Sequence, residues 1–164
     1  MAILLLPIGP PGSGKTFLGK YLQHKLKDRF KYLSRDEIFK SIREKNSIRN
    51  SKHLTHQYIK THLESYTDYN YIVYVDTTNS NQGIRDLYKS YLNPNKVIYI
   101  CFREKNINKL LERVSTREHP TFPNEKSDQI KTITKIINTI NYPEDNYINI
   151  SDNDDIERVI NYLQ

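Results

Sequence analysis

Cysteine is almost absent from this chain, and long hydrophobic runs are missing altogether. The single cysteine, Cys101, cannot form an internal disulfide, which favours a reducing, cytoplasmic location. It lies in the apolar run VIYICF, so we expect a core residue rather than a nucleophile. No stretch approaches the roughly 18 apolar residues of a membrane-spanning helix. The apolar start MAILLLPIG is too short for a signal peptide and lacks its basic residues. We therefore expect no membrane partner.

Acidic residues are fewer than basic ones, and the 164 residues carry a net charge of +6. This balance indicates an anionic partner, such as nucleic acid or a phosphorylated substrate, or only a solvated lysine-rich surface. The length and the hydrophobic content of 37% predict a single domain that spans residues 1–164. The sequence shows no internal repeat, low-complexity tract or second-domain boundary.

Five short apolar runs alternate with segments of helical periodicity. The predicted strands are AILLLPI, KYLS, YIVYVD, KVIYICF and YINIS. The predicted helices include TFLGKYLQHKLKDRF and SNQGIRDLYKSYL, and the polar link NSIRNS separates two helices after the second strand. This alternation predicts parallel β-α units. The expected fold class is therefore α/β, a three-layer α/β/α domain with a mostly parallel, roughly five-stranded sheet.

Glycine is also scarce, yet three of the five glycines fall in one stretch, IGPPGSGKTF, between the first strand and the first helix. The stretch matches the spacing G-x-x-x-x-G-K-[ST] in the required strand–loop–helix context. Glycines let backbone N–H groups curl around a phosphate, and the helix N-terminus adds its dipole. We therefore predict a P-loop that binds ATP or another NTP with Mg²⁺. Lys15 would bridge the β- and γ-phosphates, and the Thr16 hydroxyl would bind the metal. The residues expected to contact the nucleotide are Gly9, Gly12, Ser13, Gly14, Lys15 and Thr16.

The segment SRDE follows the second predicted strand. Asp36 would lie at the carboxyl edge of the sheet, opposite the phosphates, where a carboxylate can accept the proton of an attacking hydroxyl. The alternative is that Ser34 or Asp36 caps the next helix. Arg35 either contacts an acceptor phosphate or faces solvent.

The segment YVDTTNSN ends the third predicted strand. Asp76 occupies the usual place of a second carboxylate that contacts Mg²⁺ or its water ligands. The alternative is a turn or cap formed by Asp76 with the three residues after it.

Two arginines precede a proline-containing break in LLERVSTREHPTFP. Arg113 and Arg117 are spaced i, i+4, so they share one helix face. We predict a lid over residues 112–125, in which an arginine spreads charge at the transferring phosphoryl group and water is excluded. The alternative is a solvated helix end with a salt bridge. His119 is a weaker candidate.

With these segments in place, the chain resembles the polynucleotide 5′-kinase branch of the P-loop phosphotransferases. That branch includes phage-type polynucleotide kinases and the kinase modules of RNA-repair and tRNA-splicing ligases. The resemblance rests on GPPGSGKT, SRDE, VDTTN and RVSTREHP, which occur in the order and approximate spacing of that branch. It implies that Asp36 is the general base for a 5′-hydroxyl and that Asp76 belongs to the acceptor or metal site. It also implies that Arg117, with or without Arg113, is the lid arginine.

One position departs from the phage-type pattern, which has an arginine three residues after the base aspartate to hold the acceptor's 3′-phosphate. Here that position is Phe39, with Lys40 beside it and Arg43 one turn further on. Either cation is a candidate replacement, or the acceptor is of another kind. Phosphatase (D-x-D-G) and ligase (K-x-D-G) signatures are missing from the sequence.

The sequence therefore predicts a Mg²⁺-dependent kinase that phosphorylates the 5′-hydroxyl of RNA or DNA ends, with Arg35, Lys40, Arg43 and Asp76 near the acceptor. The nearest alternative is a small-molecule kinase of the same fold, acting on a nucleoside, a nucleoside monophosphate or a sugar. A second alternative is an NTP-binding switch that transfers no phosphate. The GTPase-type segment N-K-x-D is missing.

Overall fold

The strands and helices alternate along the chain as expected. The structure, a computed structural model, describes residues 2–115, 122–151 and 153–163. The strands are β1 (Ile3–Ile8), β2 (Phe30–Ser34), β3 (Ile72–Asp76), β4 (Lys96–Cys101) and β5 (Tyr147–Asn149). The helices are α1 (Lys15–Leu26), α2 (Arg35–Arg43), α3 (Ile48–Ser65), α4 (Gln82–Leu92), α5 (Ile107–Ser115), α6 (Lys126–Thr139) and α7 (Asn153–Leu163). A short 3-10 helix, Lys27–Arg29, follows α1.

The strands form one parallel sheet in the order β2-β3-β1-β4-β5. The predicted α/β fold and its five-stranded sheet are thus confirmed. The carboxyl ends of β1, β2 and β3 lie side by side, and in the register of β2 with β3 Ser34 stands opposite Asp76. In such sheets ligands bind at this edge, where the strand order reverses.

Both faces of the sheet are covered, which explains why its strands are continuous apolar runs. Leu4 and Leu6 of β1 face one side, in a core that includes Ile59 of α3 and Leu92 of α4. Leu5 faces the other side, where the core residues come from helices α1 and α7. Helices α5 and α6 pack on each other through a separate small cluster.

Two boundaries differ from the sequence prediction. Helix α1 ends before Phe30, because that side chain is buried against the sheet as the first residue of β2. The expected link NSIRNS is mostly helical, since Ser47 caps α3 by accepting a hydrogen bond from the Asn50 amide.

In the described ranges, every helix is too short or too polar to cross a bilayer.

Candidate active site

The loop between β1 and α1 adopts a conformation that depends on glycine. Gly12 has φ 80° and Gly14 has φ 106°, values in the left-handed region that side chains disfavour. A Cβ on Gly12 would also lie 2.7 Å from the Leu110 carbonyl oxygen, because α5 packs against the tip of the loop. The loop therefore combines a tight curl with close contact to α5.

Lys15 is the first residue of α1, and its side chain folds back into the loop. Its ammonium donates to the carbonyl oxygens of Gly9 and Pro10 at 2.9 and 2.8 Å, and its residue is 8% exposed. The predicted phosphate-binding cation is thus held inside the loop. The hydroxyl of Tyr74, on β3, fixes the start of α1 by donating to the Lys15 carbonyl at 2.7 Å.

Thr16 and Asp76 meet at the edge of the sheet. The Thr16 hydroxyl donates to Asp76 Oδ2 at 2.7 Å, and the Tyr32 hydroxyl donates to the same oxygen at 2.6 Å. Asp76 is 7% exposed. Two hydroxyls and one carboxylate form an oxygen-rich group of the kind that Mg²⁺ prefers. Thr16 and Asp76 are therefore placed to hold a metal ion beside the loop.

The alternative role for Asp76, in a turn, belongs instead to another residue. Asn79 has φ 47°, and its side-chain amide donates to the carbonyls of Val75 and Thr77 within the turn and of Pro7 on the next strand. The turn is thus formed by Asn79, while the Asp76 carboxylate faces Thr16.

The loop after β3 is tied to the end of α6 by Arg85, which is fully buried. Arg85 Nη1 donates to the carbonyls of Asn79 and Asn141 at 2.9 and 2.7 Å. Its Nη2 donates to the side chains of Asn141 and Gln82. Sequence reasoning missed this residue, since a lone arginine on a helix usually faces solvent.

Asp36 lies in the first turn of α2, at the same edge of the sheet as Asp76. The helix is capped by Ser34, whose hydroxyl accepts a hydrogen bond from the Glu37 amide at 3.3 Å. Of the two predicted capping candidates, Ser34 is the cap. Asp36 is half-buried. Its role as a proton acceptor stays a prediction.

The basic residues predicted near the acceptor occupy different faces of α2. Lys40 and Arg43 lie four and seven residues after Asp36, on the same helix face. Lys40 is exposed, and Arg43 donates to the Asn46 carbonyl at 2.6 Å at the far end of the helix. Arg35 is half-buried, and its charge partly offsets the rise that burial causes in the pKa of Tyr88 on α4.

Phe39 is 3% exposed and packs in the interior. It cannot contact an acceptor phosphate. The phenylalanine that stands here in place of the arginine of the phage-type pattern therefore serves packing. Any phosphate of an acceptor would have to be met by other residues.

The last turn of α5 brings Arg113 to the phosphate-binding loop. Its guanidinium donates to the Gly12 carbonyl at 3.2 Å, and its side chain is exposed. Arg113 thus lies beside the phosphate-binding loop, and its role as a lid arginine stays a prediction. Arg117 and His119 lie outside the described residues, so the rest of the predicted lid stays a prediction.

A cavity of about 750 Å³ opens beside the loop, between α1, the residues after β4 and the residues after β5. Phe17, Phe102, Arg103 and Asn149 line it, and Arg103 Nε donates to Asn149 Oδ1 at 2.9 Å. Its volume lies in the range of small-molecule and cofactor sites. Cys101 also lines this cavity, but burial raises the pKa of its thiol to about 11. The thiol is therefore unsuited to act as a nucleophile.

Sequence reasoning also missed the two tyrosines behind the loop, Tyr32 and Tyr74. A signal was present, because Gly19 interrupts a helical pattern and such a glycine often marks a close approach. A Cβ on Gly19 would lie 2.5 Å from Tyr32 Cε2 and 2.9 Å from Tyr74 Cε1.

Known structures share this arrangement at low sequence identity. A putative kinase from Chloroflexus aurantiacus is 15% identical, with a TM-score of 0.74 over 99% of each chain. Kti12 from Chaetomium thermophilum, in complex with ADP-AlF3, is 16% identical with a TM-score of 0.63, over 99% of this chain and 97% of that one. Shikimate kinase from Acinetobacter baumannii, in complex with shikimate, is 15% identical with a TM-score of 0.59, over 99% of this chain and 92% of that one.

At these identities the similarity establishes a P-loop kinase-like fold, and none of the three is described as a polynucleotide kinase. Among curated proteins, none matches the chain in sequence. A family model described as an AAA domain matches residues 4–135, which include the loop, Asp36, Asp76 and Arg113. The chain therefore belongs to the AAA domain family.

Proposed function

We propose that this protein is an NTP-dependent kinase that transfers the γ-phosphate to a hydroxyl group of an acceptor. The observation that carries the proposal is the 2.7 Å hydrogen bond from Thr16 of the phosphate-binding loop to Asp76 at the end of β3. It joins a hydroxyl and a carboxylate that can hold Mg²⁺ at the end of a loop suited to phosphates.

The donor nucleotide would lie across the loop and the 750 Å³ cavity. Backbone N–H groups of the loop and the Lys15 ammonium would hold its phosphates, and Arg113 is close enough to reach them from α5. The base and sugar would occupy the part of the cavity near Phe17 and Arg103. Mg²⁺, held by Thr16 and Asp76, would neutralise charge on the phosphates.

The acceptor would lie on the other side of the loop, against the start of α2. There Asp36 would accept the proton of the attacking hydroxyl, since the end of β2 stands opposite Asp76 in the sheet register. Correct alignment of acceptor and γ-phosphate would provide most of the rate, as phosphoryl transfer needs little covalent help from the protein.

A small hydroxyl-bearing molecule is the first candidate for the acceptor. Phe39, at the position where the phage-type pattern has its phosphate-binding arginine, is buried. The named structural relatives include a shikimate kinase with its small substrate bound. These two points reverse the order of preference drawn from the sequence.

The 5′-hydroxyl of RNA or DNA is the second candidate, and one observation favours it. Residues 35–66, which contain α2 and α3, include seven Lys or Arg against four Asp or Glu. Positive charge beside Asp36 would attract a polynucleotide, and its binding would weaken with salt.

The proposal is tested by offering radiolabelled ATP to parallel acceptors at two salt concentrations. The acceptors are 5′-hydroxyl RNA and DNA oligonucleotides, nucleosides, nucleoside monophosphates, sugars and shikimate. Label in a small molecule supports the first candidate, and salt-sensitive label in an oligonucleotide supports the second. Asp36→Asn should abolish transfer, whereas Asp28→Asn, an exposed aspartate beyond α1, should leave it unchanged.

Lys15→Ala should abolish transfer to every acceptor, because the phosphates lose their buried cation. ATP hydrolysis that needs no acceptor and is unaffected by Asp36→Asn would refute the proposal that the protein is a kinase. That result would favour the NTP-binding switch.

A further inference from the structure

We propose that Tyr32 is a positioning residue that holds the Asp76 carboxylate in the orientation needed for nucleotide-bound Mg²⁺. This inference rests on the proposed function. Its basis is that the Tyr32 and Thr16 hydroxyls donate to the same oxygen of Asp76, at 2.6 and 2.7 Å. Two short hydrogen bonds from different elements restrict rotation of the carboxylate, and its second oxygen is held in place with it.

Two neighbouring side chains contact the ring of Tyr32. One contact is a stack on Tyr74, with ring centroids 6.0 Å apart and an interplanar angle of 26°. The Lys20 ammonium lies 4.4 Å from the ring centroid, and the same ammonium pairs with Glu37 at 2.9 Å. Gly19 provides the space for the ring, since a Cβ there would overlap it. The hydroxyl therefore has little freedom to leave Asp76.

The choice of a tyrosine has a chemical consequence for the carboxylate. The Tyr32 hydroxyl, like that of Thr16, donates to Asp76 as a neutral group. Two neutral donors orient Asp76 without cancelling its charge, as a lysine or arginine partner would. The carboxylate thus keeps its negative charge for a divalent cation.

The test measures the affinity for ADP of native chain and of Tyr32→Phe, with Mg²⁺ and with EDTA, by calorimetry. The substitution removes one hydroxyl and keeps the ring. One hydrogen bond to a charged group corresponds to a roughly tenfold effect. We expect Tyr32→Phe to weaken binding about tenfold in Mg²⁺ and to leave binding in EDTA unchanged.

Tyr74→Phe is the matched control. It removes a hydroxyl from the stacked neighbour, but that hydroxyl donates to the Lys15 carbonyl and not to Asp76. Any loss of affinity should then be equal with and without the metal. In an Asp76→Asn background, Tyr32→Phe should have no further effect on binding in Mg²⁺.

Equal affinities for native chain and Tyr32→Phe in Mg²⁺ would overturn the inference. So would an equal loss in EDTA, because that loss would show a general structural role. If the native chain bound ADP no better with Mg²⁺ than with EDTA, the proposed metal site would be refuted, and the inference about Tyr32 with it. The measurement on the native chain therefore separates failure of the metal site from failure of the Tyr32 inference alone.

Discussion

Gly19 offers a sharp test of the packing behind the phosphate-binding loop. Gly19→Ala places a methyl group at a point 2.5 Å from Tyr32 Cε2 and 2.9 Å from Tyr74 Cε1. Displacing either ring would cost free energy, because each hydroxyl makes a hydrogen bond at 2.7 Å or less. Overpacking of this kind costs about 1–3 kcal/mol. Replacing a helical glycine by alanine recovers about 0.4–1 kcal/mol.

The overlap therefore exceeds the helix gain, and Gly19→Ala should lower the free energy of unfolding by about 1–2 kcal/mol. For a chain of this size, the melting temperature should fall by about 2–8 °C. The matched control is Gly83→Ala in α4, where the nearest atom to the new Cβ is Asn81 Oδ1 at 3.5 Å. That variant should melt about 1–4 °C higher.

Calorimetry of the native chain and the two variants measures these changes in melting temperature. A Gly19→Ala chain as stable as the native one would refute the close approach of α1 to the two tyrosines. Displacement of Tyr32 should also reduce the Mg²⁺-dependent part of ADP binding in Gly19→Ala, and Gly83→Ala should bind normally.

Three further predictions concern single residues. Phe39→Arg should destabilise the protein by more than about 3 kcal/mol in urea denaturation, because it replaces a buried ring; a stable variant would mean that this position faces the acceptor. Arg113→Ala should lower kcat at least about tenfold while stability stays within about 0.5 kcal/mol, since the side chain is exposed; unchanged kcat would remove Arg113 from the phosphate site. Cys101 should react with a thiol reagent far more slowly in native chain than in urea at pH 8, because burial raises its pKa to about 11 and disfavours the reactive thiolate. Rapid labelling of native chain would contradict the buried thiol.

The sheet and the loop could be predicted from the sequence because both leave local patterns. Strands covered on both faces appear as continuous apolar runs, and the loop needs glycines and Lys15 at fixed spacing. Ser34 and Asp36 were the two local candidates for the cap of α2, and the hydrogen bond that the Glu37 amide donates to the Ser34 hydroxyl decides between them.

The contacts behind the loop could not be predicted, because they join residues far apart in the chain. Tyr32 and Asp76 are 44 residues apart, and Arg85 and Asn141 are 56 apart. Composition indicates a surface position for an arginine and a packing role for a tyrosine. Only the fold turns Arg85 into a buried donor of hydrogen bonds and places the Tyr32 hydroxyl on a carboxylate.

The buried Arg85 guanidinium ties the end of helix α6 to the loop after β3. At Asn141, a buried guanidinium would lose several acceptors at once if the contact opened. During thermal motion the end of α6 and the loop after β3 should therefore move together as one unit, so that the neighbourhood of Asp76 keeps its geometry.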